Sequence, residues 1–248
     1  RIKKIKKFID HILLLFSFEK KYFEKEKISY DFVGHPLLEN KKDDGIDINQ
    51  VVGKNKAIIS VFPGSRVSEI DTLMPILLNF IKLMEDKYSD ITYVFHSNRE
   101  HRELIHYYIK TTGQTNCEVI CDSKIKFHLL KKSIFAVVKS GTVSLEVCNA
   151  KIPSIILYKM NFINFLIIKF LVNTKYANII NIAAKKEILP ELLQSNCNAE
   201  NIFKVVNEYL ESPQKIEEQI NETSIILNKF RTDRPSTELA SQSLNKFL

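Results

Sequence analysis

Short apolar runs alternate with longer amphipathic segments through the middle of this chain. AIISVF (57–62), ITYVF (91–95), CEVIC (117–121), IFAVV (134–138) and PSIILY (153–158) read as strands. They are almost continuously apolar rather than alternating, which is the pattern of strands buried on both faces of a parallel sheet. Between them, 69–88, 99–112, 124–132 and 143–150 repeat apolar residues at spacings of three and four and predict amphipathic helices. The alternation predicts an α/β fold, a doubly wound parallel sheet covered by helices. Beyond residue 188 there is no strand signal, and helices are predicted at 199–211, 214–230 and 236–247. Upstream, the runs 12–18 and 30–33 predict two further strands, followed by the polar stretch 39–55. The chain starts at Arg1 and reaches strand-like sequence at once, so a preceding portion is expected.

Composition narrows the class. Hydrophobic residues are 45% and charged residues 26%, values of a globular chain that exclude disorder, and six Gly with seven Pro leave little room for flexible linkers. The length of 248 residues suits one to two domains. Lys plus Arg at 36 against 29 acidic residues gives +7, which would suit nucleic acid, anionic lipid or a phosphorylated substrate. Only six of the 36 are Arg and the basic residues are spread along the chain, so a solvated lysine-rich surface and no nucleic-acid partner are expected.

Cys117, Cys121, Cys148 and Cys197 form no CxxC pair and no zinc-finger spacing, and read as buried small hydrophobes of a reducing compartment. His11, His96, His101, His106 and His128 likewise fit no metal spacing and read as exposed or satisfied structural histidines; no metal is expected. The opening RIKKIKKFIDHILLLF imitates a signal peptide, but Asp10 and His11 interrupt it and no small-residue cleavage site follows. The apolar run 162–172 (FINFLIIKFLV) is shorter than the roughly 20 residues a membrane span needs, and fits either an interfacial patch or a core helix.

Candidate chemistry sits in three glycine motifs. Pro63-Gly64-Ser65-Arg66 follows a predicted strand and precedes a predicted helix. There a Pro-Gly turn lets backbone N–H groups approach an anion, Ser65 adds a hydroxyl and Arg66 offers a bidentate fork to phosphate. Ser68 is expected to cap the following helix with Asp71 three residues on, and Glu69 to be a favourable first-turn charge. Ser140-Gly141-Thr142 is placed in the same way, with Glu146 one turn into its helix, where a carboxylate could accept both hydroxyls of a ribose diol. Neither loop matches the P-loop or the dinucleotide GxGxxG. Gly34-His35-Pro36 ends the run DFV and marks a junction between domains.

FVGHPL (32–37), VFPGSRVSEI (61–70), SGTVSLEVCNAKIPSIILYKM (140–160) and KYANIINIAAKKEILPELLQ (175–194), in this order, resemble the lipid-A-disaccharide synthases. The resemblance implies a GT-B-type glycosyltransferase that needs no cofactor. It would transfer 2,3-diacylglucosamine from its UDP donor to 2,3-diacylglucosamine 1-phosphate (lipid X) and release UDP. It implies residues 1–38 as a remnant of the acceptor-binding domain, 39–55 as linker, 56–187 as the Rossmann-like UDP-sugar domain and 188–248 as a C-terminal helical cap packing back. By resemblance Arg66 is catalytic, neutralising the departing UDP, with Gly64 and Ser65 beside it. Ser140, Gly141 and Thr142 lie near the diphosphate, Glu146 on the ribose, and Tyr158, Asn181, Glu191 and Gln194 line or support the donor site. The family's general base belongs to the expected preceding portion. The resemblance further implies a peripheral protein on the anionic, cytoplasmic face of the inner membrane of a Gram-negative-type bacterium, and it admits a homodimer. Two alternatives accompany it: a UDP-sugar 2-epimerase-like enzyme, and a non-catalytic fragment that only binds UDP.

Overall fold

The computed structural model describes residues 5–39, 48, 52, 56–160 and 175–247. The run 162–172 and most of the stretch 39–55 lie outside them. The chain divides into two compact units, Arg1–Asp43 with Ser224–Leu248, and Asp44–Thr223.

In the first unit, β1 (His11–Leu14) and β2 (Ser29–Phe32) pair in parallel, His11 opposite Ser29 and Leu14 opposite Phe32. The apolar run 12–18 thus supplies a strand only to Leu14, and Ser17 opens a short 3-10 turn. Leu14, Phe23 and Ile28 bury together, and Phe16, Phe18 and Phe230 form an aromatic group. The helix Ser236–Leu244 and its end are tied to this pair by charge: Ser243 Oγ and Lys246 Nζ each donate to Asp31 at 2.7 Å. These bonds, Lys246 first, hold the Asp31 carboxyl below the usual carboxylate range. Glu39 likewise accepts from Ser236 N at 2.8 Å and Ser236 Oγ at 2.6 Å. Gly34 has φ +75°, and a Cβ there would lie 2.8 Å from Thr232 Oγ1, so the GHP motif needs its glycine for both conformation and space.

The second unit carries a six-stranded sheet in the order β5-β4-β3-β6-β7-β8, every pair parallel. Its strands are β3 (Ala57–Phe62), β4 (Ile91–His96), β5 (Cys117–Ile120), β6 (Ser133–Lys139), β7 (Ser154–Tyr158) and β8 (Glu191–Leu193). The expected strands and the helices between them are present, with ends shifted by up to three residues. β8 is a correction: it is a strand in a region whose pattern shows none, because its three half-buried residues are too few to set a period.

Side chains alternate across the strands, and both faces are covered. Ile59, Val61, Tyr93, Phe95, Phe135 and Val137 pack with Ile70, Leu73, Met74, Leu77 and Phe80 of the helix Val67–Glu85. Ile58 and Val94 on the other face pack with Leu129, Ile48 and Val52. Two residues of the expected linker therefore belong to this unit's core. Cys148 and Cys197 are buried as expected, whereas Cys117 and Cys121 are only half-buried, since β5 is the edge strand.

Candidate functional site

From β3 the chain builds the sheet outward through β4 and β5, then restarts beside β3 with β6 and continues through β7 and β8. The order reverses between β3 and β6, and in open α/β sheets ligands bind beyond the carboxyl ends of the strands at that switch point. The loops after β3 and β6 flank it. A cavity of about 300 Å³ opens there, bordered by Gly64, Ser65, Ser140, Gly141, Thr142 and Glu146. Two loops some 75 residues apart in sequence, each singled out by its glycine, are thus brought to one site.

In the first loop Gly64 has φ +125°, and a Cβ there would lie 2.7 Å from both Cβ and Oε2 of Glu69. The absent side chain is what lets Glu69 fold back. Its Oε2 accepts from Ser65 N at 2.9 Å, and its Oε1 meets Lys139 Nζ at 2.7 Å and Arg66 Nη1 at 3.4 Å. Burial opposes ionisation of Glu69, but Lys139, the Ser65 N–H and Arg66 together outweigh it and hold the carboxyl below the usual range. Glu69 is therefore more than a first-turn charge. The expected Ser68 cap is also corrected. The helix starts at Val67 with Arg66 in the extended N-cap position, and Ser68 lies inside its first turn, where its carbonyl accepts from Thr72 Oγ1 at 2.7 Å. Asp71 instead accepts from Tyr108 Oη at 3.0 Å. Arg66 itself does not border the cavity, though its neighbour Ser65 does; its side chain is 78% exposed and, among the described residues, its ion pair is the long contact to Glu69.

The second loop is pinned by hydroxyls. Ser140 Oγ donates to Ala177 O at 3.1 Å, and Ser144 Oγ donates to Gly141 O at 2.8 Å while accepting from Asn178 Nδ2 at 2.9 Å. Glu146 points to the cavity, with its Oε2 2.8 Å from Lys126 Nζ. Both carboxylates of the site are thus paired with a lysine.

Tyr158, Asn181, Glu191 and Gln194 do not border the cavity. Glu191 accepts from Ala177 N, Asn178 N and Asn181 Nδ2 at 2.7–2.9 Å, fixing the segment to which Ser140 is bonded. Asn181 is fully buried, donates also to Leu189 O and accepts from Ile188 N and Leu189 N. Gln194 accepts from Met160 N at 2.9 Å, and the Tyr158 ring lies under Lys139 Nζ at 5.7 Å. Glu191 and Asn181 thus brace the segment that holds Ser140, Tyr158 lies beside Lys139, and Gln194 ties the chain just beyond β7.

Sequence reasoning missed Lys126, Lys139 and His96, all of which line the cavity. Lys139 and His96 are the last residues of β6 and β4, as Phe62 is of β3. Their signal is position: the residue that ends a parallel strand faces the crevice. His96 also corrects the expectation of a satisfied histidine. It is 5% exposed and stacks on Phe62, ring centroids 4.5 Å apart. Its Nε2 is 2.9 Å from Ser60 Oγ, while its buried Nδ1 has no hydrogen-bond partner among the described residues. Burial, then the nearby charge of Lys126, pushes His96 down to about 3, so the ring is neutral at physiological pH. Among the described residues no three His, Cys, Asp or Glu converge as a metal site would require. The chemistry on offer is a cationic rim for an anion, Lys126 and Lys139, with Arg66 next to the lining Ser65, over a floor of two loops and a neutral imidazole.

Comparison with known proteins accords with this geometry. The chain is 31% identical over 246 residues to the lipid-A-disaccharide synthase of Rickettsia typhi, covering 97% of this chain and 64% of that protein. It is 32% identical over 232 residues to that of Persephonella marina, covering 90% and 61%. The chain therefore spans less than two thirds of the length of these relatives. Among solved structures, a Staphylococcus aureus MnaA–UDP complex superposes with a TM-score of 0.61 at 16% identity, covering 95% of this chain and 60% of that one. A UDP-GlcNAc 2-epimerase from Neisseria meningitidis bound to UDP-GlcNAc superposes with a TM-score of 0.54 at 16% identity, over 77% and 45%. At such identities these likenesses speak for the fold, the Rossmann-like half of the GT-B architecture. The sequence model described as lipid-A-disaccharide synthetase matches residues 1–244, and the chain belongs to that family.

Proposed function

We propose that this chain is the donor-binding part of a lipid-A-disaccharide synthase. It transfers 2,3-diacylglucosamine from its UDP donor to 2,3-diacylglucosamine 1-phosphate, forming the disaccharide 1-phosphate and UDP. The observation that carries the reading is the meeting of the Gly64–Ser65 and Ser140–Thr142 loops, with Lys126 and Lys139, at one cavity at the sheet's switch point. The family match supports it.

The chemistry follows from the charges. As the acceptor hydroxyl attacks the anomeric carbon, a new C–O bond forms, the bond to the diphosphate oxygen breaks, and UDP leaves with the electron pair. Charge develops on the diphosphate, and a guanidinium or ammonium already positioned there lowers the barrier most. Arg66 and Lys139 supply it, and the Glu69 carboxylate holds the same donors until the diphosphate arrives. Glu146 takes the ribose diol, with Lys126 2.8 Å away orienting its carboxylate. With Glu69 held below the usual carboxylate range and Glu146 engaged by the ribose in this reading, the proton of the acceptor hydroxyl goes to a base outside this cavity.

Acylated substrates reside in membranes, so this reading also assigns the protein to the anionic cytoplasmic surface of the inner membrane, and the +7 charge supports it. No helix among the described residues is long and apolar enough to cross a membrane. The test is synthesis by the chain extended with the matching N-terminal segment of the Rickettsia typhi relative. Disaccharide and UDP should appear in equal amounts from the two lipid substrates. A folded, UDP-binding extended protein that makes no disaccharide contradicts the reading.

A further inference from the structure

His96 borders the site, and its buried Nδ1 has no hydrogen-bond partner among the described residues; its protonation state follows from hydrogen-bond bookkeeping alone. Ser133 Oγ donates its one proton to the Leu129 carbonyl at 2.8 Å, since a carbonyl can only accept. The 2.8 Å bond between Ser60 Oγ and Ser133 Oγ must then use the Ser60 proton. Ser60 Oγ has no proton left for His96, so at 2.9 Å it accepts, and the imidazole proton sits on Nε2. Nδ1 is therefore a bare lone pair. The stack on Phe62 fixes the ring, and Nδ1 finds no donor among the described residues. An unsatisfied buried acceptor is costly, and its natural partner is a donor brought by the ligand.

We propose that His96 is the base-reading residue of this cavity: its Nδ1 accepts the N3–H of uracil. The inference rests on the UDP-sugar reading given above. A fully ionised UDP has only three hydrogen-bond donors, the 2′- and 3′-hydroxyls and N3–H. Glu146 accepts the two hydroxyls in that reading, which leaves N3–H to be met, and His96, which borders this cavity, has in Nδ1 a buried acceptor with no donor among the described residues. The arrangement also discriminates. Cytosine carries a lone pair at N3, which would face the lone pair of Nδ1, so a cytidine nucleotide is rejected where a uridine nucleotide is held.

The experiment compares UDP, N3-methyl-UDP and 2′-deoxy-UDP by calorimetric titration of the full 248-residue chain and of its His96→Phe variant. Phe keeps the ring against Phe62 and removes the acceptor. The native chain should bind N3-methyl-UDP about 10- to 100-fold more weakly than UDP. In the variant the two should agree within about threefold. Equal native affinity for UDP and N3-methyl-UDP overturns the inference while leaving the UDP reading intact. So does a discrimination that survives in the variant, or a penalty for 2′-deoxy-UDP that vanishes with His96, since the acceptor would then serve the ribose. Absence of native UDP binding instead overturns the donor-site reading and this inference with it. Should the variant unfold, the native comparison decides alone.

Discussion

Arg66→Ala separates the two things an arginine beside a loop could do. The side chain is 78% exposed, and its ion-pair contact among the described residues, 3.4 Å to Glu69, is longer than a good charge-assisted bond. Glu69 keeps the shorter bonds to Lys139 and the Ser65 N–H without it. Loss of Arg66 should therefore change folding stability by no more than about 0.5 kcal/mol, as for an exposed ion pair. A hydrogen bond between charged groups is worth about 1.5–3 kcal/mol, so loss of the guanidinium should weaken UDP binding roughly 10- to 150-fold. Uridine, which has no phosphate, should bind the variant as it binds the native chain. Parallel calorimetric titrations with UDP and uridine, together with thermal unfolding, read all three quantities. Equal weakening for both ligands, or a fall in Tm beyond about 2 °C, would refute the reasoning by making Arg66 a support of the loop and not a phosphate ligand.

The other expected outcomes concern the machinery around it. Glu69→Gln removes the carboxylate that gathers Ser65 N–H, Lys139 and Arg66, and should lower Tm by about 2–6 °C near neutral pH. Because the folded Glu69 carboxyl titrates below its unfolded value, the stability it contributes is complete above the unfolded value. It is lost as pH falls through the folded value, so the gap between native and variant in pH-resolved thermal unfolding should close in acid and stay constant above about pH 5. A gap that widened in acid would reverse the assigned sign. Gly64→Ala forces a Cβ to 2.7 Å from Glu69 at φ +125°, and should cost about 1–3 kcal/mol or more in denaturant unfolding along with a loss of UDP affinity. An unchanged midpoint would mean that the loop is looser than drawn. Asn181→Ala leaves the buried N–H groups of Ile188 and Leu189 without their acceptor, and should cost about 2–5 kcal/mol in the same assay. A loss under about 1 kcal/mol would show that water replaces the side chain.

The parts of this architecture written locally were legible in the sequence. Five of the six sheet strands announce themselves as apolar runs, most plainly those covered on both faces, where AIISVF or IFAVV must be apolar at nearly every position. The PGSR and SGT loops stand out because glycine is scarce and both glycines follow a strand. β8 was not legible: three half-buried residues beginning with Glu191 are held by pairing with β7, a tertiary cause. The helix start after β3 was misread because the rule for a capping serine assumes that the cap precedes its helix. Here Glu69 reaches back from the first turn to the Ser65 N–H, and Ser68 has no capping to do. Lys126, Lys139 and His96 carry no motif, since what gathers them is the sheet. The chain passes the switch point once with β3 and again with β6, and strand-ending residues meet there from 43 positions apart in the case of His96 and Lys139.

The central claim is that the cavity between the two loops is a uridine diphosphate site. Titrating the full chain with UDP in a calorimeter, with ADP as the control, tests it most directly. The account predicts saturable binding of UDP at one site per chain and binding of ADP at least about tenfold weaker, the difference carried by the base. Equal affinities would mean that only phosphate is recognised, and no binding of either would mean that these loops do not form a nucleotide site.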